Sequence, residues 1–181
     1  MNAIIKGIVI FLVVFIVGLV GGAYLISPVA VVERSVTIAA LPEKVYGVAG
    51  TLRRFNEWSP WAELDPAAVY SYEGPEQGVG QKMSWTSAKP EVGRGAQTVT
   101  EAVPNEKIVT ELDFGSMGKA ASTLSIKPDA SGSIVTWGFR SENDGVLERW
   151  TSLMFDKWIG ADYEKGLAKL KALVEKENQG G

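Results

Sequence analysis

Leu147-Glu148-Arg149-Trp150-Thr151-Ser152-Leu153-Met154-Phe155-Asp156-Lys157-Trp158-Ile159-Gly160 opens a run that continues without proline to Asn178. Apolar side chains recur at Trp150, Met154, Trp158 and Ala161, and again at Tyr163, Leu167, Leu170 and Val174. That spacing of three and four is one face of a helix. Lys157, Lys165, Lys169, Lys171 and Lys176 alternate with Asp156, Asp162, Glu164 and Glu175 on the rest. Unbroken, such a helix reaches about 45 Å at the standard rise per residue. Gly160 and Gly166 each cost roughly 1 kcal/mol against alanine inside a helix, so a kink or a close contact is expected at them. Residues 30–141, just upstream, read as strand and turn. The chain therefore predicts a long terminal helix lying on a sheet.

The strand region supports this. Val32, Arg34, Val36 and Ile38 alternate along the first segment, 30–39. Pro42 suits the first turn of a short helix over 44–52, and a second short helix follows over 52–57. From Val69 onward, strands fall at 69–73, 81–86, 93–103, 107–114, 119–127 and 133–141, separated by turns rich in Gly, Pro and Asn. Alternation of this kind, broken every few residues by turn formers, indicates antiparallel hairpins. Met83 shares a face with Trp85, as do Ile108, Thr110, Leu112 and Phe114, and likewise Val135, Trp137 and Phe139.

Composition narrows the chemistry. The 181 residues suffice for one domain plus an extra segment, and the net charge of −3, mixed in sign, gives no reason to expect nucleic acid. There is no cysteine and no histidine. Disulfides, thiolate sites and a thiol nucleophile are thereby excluded, and so are the usual general base near neutral pH and the commonest metal ligand. No cofactor and no metal are expected, and no convincing catalytic set is visible.

Residues 7–32 carry no charge. Ile4 to Ile26 matches the roughly 20 apolar residues that cross a bilayer core, and Ser27-Pro28 ends it. A cleaved signal peptide needs a shorter apolar core and a small-residue cleavage site. Gly21-Gly22-Ala23 is a poor one, and the apolar run continues past it, which favours an uncleaved anchor over 1–28. Lys6 on the amino side orients that end toward the cytoplasm by the positive-inside rule. The expected location is then the cytoplasmic membrane, single-pass, with the soluble domain extracytoplasmic. Gly18 and Gly22 have the spacing of a helix-pairing motif.

The run Arg54-Phe55-Asn56-Glu57-Trp58-Ser59-Pro60-Trp61, with Ala40-Leu41-Pro42-Glu43-Lys44-Val45-Tyr46 after the first strand, resembles the START-like (SRPBCC) superfamily of polyketide cyclases/dehydrases and lipid-transport proteins. The resemblance spans residues 33–177. It implies an α+β helix-grip fold over 29–178, a curved antiparallel sheet around the long helix with an apolar cavity between them, and a tail over 179–181. The family's oxygenase branch, with its two-histidine iron site, is closed to a chain that has no histidine.

The residues expected to line that cavity are Trp58, Trp61, Tyr70, Tyr72, Met83, Trp85, Leu112, Phe114, Trp137, Phe139, Trp150, Met154 and Trp158. Aromatics on inward faces serve equally as core, because of the area that they bury. Among charged residues, Glu57, Glu101 and Arg140 are placed nearest. A buried carboxylate there would be a candidate acid or base, whereas a solvated one is only surface. The expected function is a membrane-tethered binder of an apolar small molecule or lipid. The alternatives are a cyclase- or dehydratase-type enzyme using a cavity carboxylate, and a protein-interaction module whose cavity has collapsed.

Overall fold

The computed structural model describes residues 2–180. Its elements follow the expected order. Helix α1 (Ala3–Ala23) precedes strand β1 (Val29–Ile38), and α2 (Pro42–Ala49) and the single-turn α3 (Phe55–Trp58) come next. Six strands follow: β2 (Val69–Glu73), β3 (Lys82–Thr86), β4 (Arg94–Val103), β5 (Lys107–Asp113), β6 (Lys119–Asp129) and β7 (Gly132–Glu142). Helices α4 (Val146–Ser152) and α5 (Phe155–Gly180) close the chain.

The strands form one antiparallel sheet in the order β1-β7-β6-β5-β4-β3-β2. Inward positions keep the period of two in register across it. Val32 pairs with Phe139, Phe139 with Ser122, Ser122 with Thr110 and Thr110 with Val99. A register shift between Val99 and Glu101 marks a bulge in β4, and bulges bend the strand that carries them. The β6–β7 hairpin closes at Gly132, whose φ of 137° and whose approach to the Ile38 carbonyl leave no room for a side chain.

Helix α5 lies in the curve of this sheet. Tyr163, Leu167, Leu170 and Val174 are its buried stripe, packed with Ile38, Val45, Val135 and Trp137. Each fully buried aliphatic side chain contributes about 1.5–3 kcal/mol. The helix is anchored at both ends by ion pairs. Arg34 on β1 bonds Asp156 at 2.9 Å and Glu164 at 2.7 Å. Arg54 bridges Glu57 and Glu177.

Two expectations are corrected. The terminal helix is not continuous: it is interrupted at Leu153–Met154, and α4 lies against α1 rather than under the sheet. Of the kink or close contact expected at its glycines, close contact is what is found. Gly166 faces the Trp137 ring, where an added Cβ would stand 2.6 Å from the indole, and Gly160 faces the Arg34 guanidinium. At the carboxy end, α5 continues through Gln179 and Gly180, so these two residues of the expected tail are helical; Gly181 lies outside the described residues.

Candidate functional site

Between the sheet and α5 lies a hollow of about 60 Å³. Its walls are Ala49, Leu52, Phe55, Trp58 and Trp61 from the α2–α3 region, Gln97, Ile108, Thr110, Leu112, Ser122 and Leu124 from the sheet, and Trp137 and Tyr163. A site for a drug-sized ligand occupies about 300–1,000 Å³. Most of the space that the fold would leave is taken by the protein's own rings.

Those rings form one cluster. Trp137 stacks on Tyr163 with centroids 3.8 Å apart and planes 6° apart. Trp58 meets Trp137 edge-on at 5.0 Å and Phe55 at 4.8 Å, and Trp61 meets Trp137 at 5.9 Å. Tyr163 and Trp58 are both only 2 % exposed, whereas Phe55 and Trp61 are half-buried and form the outer wall.

The polar groups of the hollow are uncharged. Ser122 Oγ accepts a hydrogen bond from Trp137 Nε1 at 2.8 Å and a longer one from the Tyr163 hydroxyl at 3.4 Å. Burial pushes the Tyr163 phenol far above its ordinary value, so it is a neutral donor. Gln97 Nε2 meets the Met83 sulfur at 3.8 Å, and Thr110 stands beside Ser122 on the neighbouring strand. Trp58 Nε1 is buried and finds no acceptor among the described residues. A buried donor without a partner costs about 1–3 kcal/mol.

The outer wall is carried by a segment pinned at both ends. Gln81 accepts from the Leu52 amide at 3.0 Å and donates to the Gly50 carbonyl at 3.0 Å. Lys169 on α5 donates to the Ser59 carbonyl at 3.3 Å.

Of the expected lining residues, the structure brings Trp58, Trp61, Leu112 and Trp137 to the hollow. Met83 is buried behind Gln97. Tyr70 and Tyr72 are half-buried near the free edge of the sheet. There the Tyr72 hydroxyl accepts from Asn56 at 3.3 Å, and Arg53 lies 5.4 Å from its ring. Trp85 and Phe114 pair with each other, and Trp85 Nε1 donates to the Val92 carbonyl, filling the space above Gly95. Phe139 is core, meeting Phe155 at 5.9 Å. These six do not border the hollow; each is taken up by the contacts just given.

Trp150, Met154 and Trp158 are a larger correction. All three are exposed: α4 packs on α1, and at the start of α5 it is Phe155 and Ile159 that face the core, which leaves Met154 and Trp158 on the outer side. Among the described residues no carboxylate lines the hollow. Glu57 is held by Arg54 and Glu101 by Lys107 at 2.7 Å, both at the surface, and Arg140 is exposed. Among the described residues there is no cluster of three acidic side chains that could hold a metal.

The apolar Ala49, Leu52, Phe55, Ile108 and Leu124 also border the hollow without having been expected to, and so do the polar-tipped Tyr163, Ser122, Gln97 and Thr110. The signal of the last four in the sequence is slight: a small or polar residue at an inward parity position, and a tyrosine within a helical apolar stripe.

A curved sheet gripping a helix over an aromatic hollow defines a helix-grip protein of the hydrophobic-ligand-binding or cyclase type. The chain belongs to the polyketide cyclase/dehydrase and lipid transport family, whose model matches residues 29–175. Solved structures share the fold. Protein CV1439 from Chromobacterium violaceum is 19% identical, with a TM-score of 0.59 over 81% of this chain and 98% of its own. A protein of unknown function, SA2116 from Staphylococcus aureus, is 13% identical, with a TM-score of 0.63 over 83% of this chain and 96% of its own. The di-domain ARO/CYC StfQ from the steffimycin biosynthetic pathway is 14% identical with a TM-score of 0.63, matching 83% of this chain and 52% of StfQ. At these identities the likeness is one of fold. No curated protein matches the sequence.

Proposed function

We propose that this chain is a membrane-tethered binding domain for an apolar small molecule or lipid chain, received in the hollow between sheet and α5. The observation that carries this reading is the wall itself: aromatic and aliphatic side chains with uncharged donors among them, and the unpartnered Trp58 N–H ready for an acceptor on the ligand. Removing apolar surface from water there is worth roughly 25 cal/mol per Å². Entry requires the outer wall to give way. Phe55 and Trp61, half-buried on a segment of single-turn helices, are the side chains that swing aside.

The tether is α1, which is long and apolar enough to span a bilayer and whose apolar stretch is not buried by the protein. Its last turn is bound to the domain: Trp150 Nε1 donates to the Leu19 carbonyl at 3.1 Å, and Arg149 lies 5.1 Å from the Tyr24 ring. Such contacts favour an anchor that stays attached. The positive-inside pattern favours an extracytoplasmic domain.

The test uses the full-length chain, stripped of co-purifying lipid and placed in nanodiscs of saturated phosphatidylcholine, titrated with a polyene fatty acid while energy transfer from tryptophan is followed. Saturable transfer that is lost in Leu112→Trp, a variant that fills the hollow, supports the reading. Transfer that is unsaturable, or equal in both proteins, sinks it.

A second reading draws on the small volume of the hollow. If the rings fill it permanently, the domain is a protein-interaction module. It then shows no saturable probe binding and retains a polypeptide through detergent purification. A carboxylate-based cyclase has less support, since Glu57 and Glu101 are both held at the surface.

A further inference from the structure

Leu147, Trp150, Met154 and Trp158 recur at three, four and four residues, the spacing of a core-facing stripe, yet they lie outside the core and all four are exposed. Leu147 is 81% exposed and Trp158 51%, and Leu153 beside them is also exposed. Exposed apolar side chains grouped in this way mark a contact surface. What that surface meets is fixed by the way that α4 is attached to α1. Trp150 hydrogen-bonds the Leu19 carbonyl and packs so closely on Gly22 that an added Cβ there would stand 2.9 Å from the indole. Arg149 stacks on Tyr24 and donates to the Ile26 carbonyl at 3.3 Å. Leu19 lies four residues before the end of α1, which places it about 6 Å along the axis inside the apolar helix. Whatever surrounds the last turn of α1 therefore also reaches Trp150.

We infer that α4, the Leu153–Met154 break and the first turn of α5 together form an interfacial element. Its face of Leu147, Trp150, Leu153, Met154 and Trp158 is sunk into the leaflet from which α1 emerges. The inference rests on the anchor reading above. The depth set by Leu19 matches the roughly 5–10 Å at which amphipathic helices settle, and tryptophan is the residue favoured at that level. The polar residues Glu148, Thr151, Asp156 and Lys157 interleave with the stripe, as an element lying in the membrane surface requires. Gly22, whose spacing from Gly18 suggested helix pairing, here makes room for Trp150 instead. The domain then does not swing freely on its tether but is held flat against the lipid.

The chain has no cysteine, so single spin labels can be introduced by Leu147→Cys, Trp158→Cys, Val13→Cys in the span and Glu76→Cys in a distant loop. Each full-length protein is placed in phosphatidylcholine–phosphatidylglycerol vesicles, and collisions with oxygen and with an aqueous nickel complex are compared. Labels at 147 and 158 are expected to favour oxygen, as 13 does, with 76 favouring nickel. Adding Leu153→Glu should shift 158 toward nickel and leave 13 unchanged. Labels at 147 and 158 that behave like 76 while 13 stays oxygen-rich overturn the inference alone. Protection from both reagents, the signature of a protein cover, also overturns it. If 13 itself favours nickel, the anchor reading fails and this inference falls with it. All four positions are exposed, so the labels leave the core intact.

Discussion

Ser122 holds two aromatic side chains through one hydroxyl, and the geometry of the hollow depends on it. Replacing it with alanine leaves the Trp137 indole N–H buried without an acceptor, a loss of about 1–3 kcal/mol; chemical denaturation measures it. Tyr163→Phe removes only the longer bond and should cost less, about 0.5–1.5 kcal/mol. Because burial raises the Tyr163 pKa above its unfolded value near 10, its contribution is complete below about pH 10 and is lost as pH rises further. Ultraviolet titration should show one tyrosine that ionises only on alkaline unfolding. This part of the site was hard to read from sequence. The parity of a strand marks Ser122, Thr110 and Gln97 as inward, but it cannot say which inward polar groups converge. Leu112 and Trp137 were legible because large residues on the inward face of a strand have nowhere else to go, and Trp58 and Trp61 because they stand in the Trp58-Ser59-Pro60-Trp61 run that carries the family resemblance.

At the scale of elements, the period of two decided the sheet. Every strand lies within a few residues of where the alternation put it, since a slip of one position would turn each buried side chain to water. The terminal helix was less legible. Its three-and-four stripe is real from Trp150 to Val174, but periodicity does not name what covers a stripe. The first part faces away from the sheet and the second part toward it. Helix α5 also meets the sheet through glycine. Gly166→Ala drives a methyl into Trp137 and Pro60, and an overpacked site of this kind loses about 1–3 kcal/mol. A fall in thermal midpoint with retained circular dichroism is the expected readout. The Arg34 pair acts at the same scale. Its hydrogen bond holds Asp156 below the usual carboxylate range, so its stabilisation is present above about pH 4 and disappears as pH falls through the lowered value. The stability gap between the parent and Arg34→Gln should therefore be larger at neutral pH than in strong acid, as urea titrations at the two pH values will report.

For the whole molecule, the junction between α1 and the domain is the feature that joins location to function. Trp150→Ala removes the bond to Leu19 and the packing on Gly22. The connector Tyr24–Pro28 should then be cut faster by protease in detergent, with the sheet and α5 left intact on a gel. That connector has a further consequence. Fully extended, it spans roughly 17 Å, and the Pro28 carbonyl is already engaged by the Asn143 amide at 2.7 Å. With α1 in a bilayer, the domain is too short-reined to ferry cargo to a facing membrane. On the proposed reading, a bound molecule is therefore loaded and unloaded within the one leaflet that α1 enters.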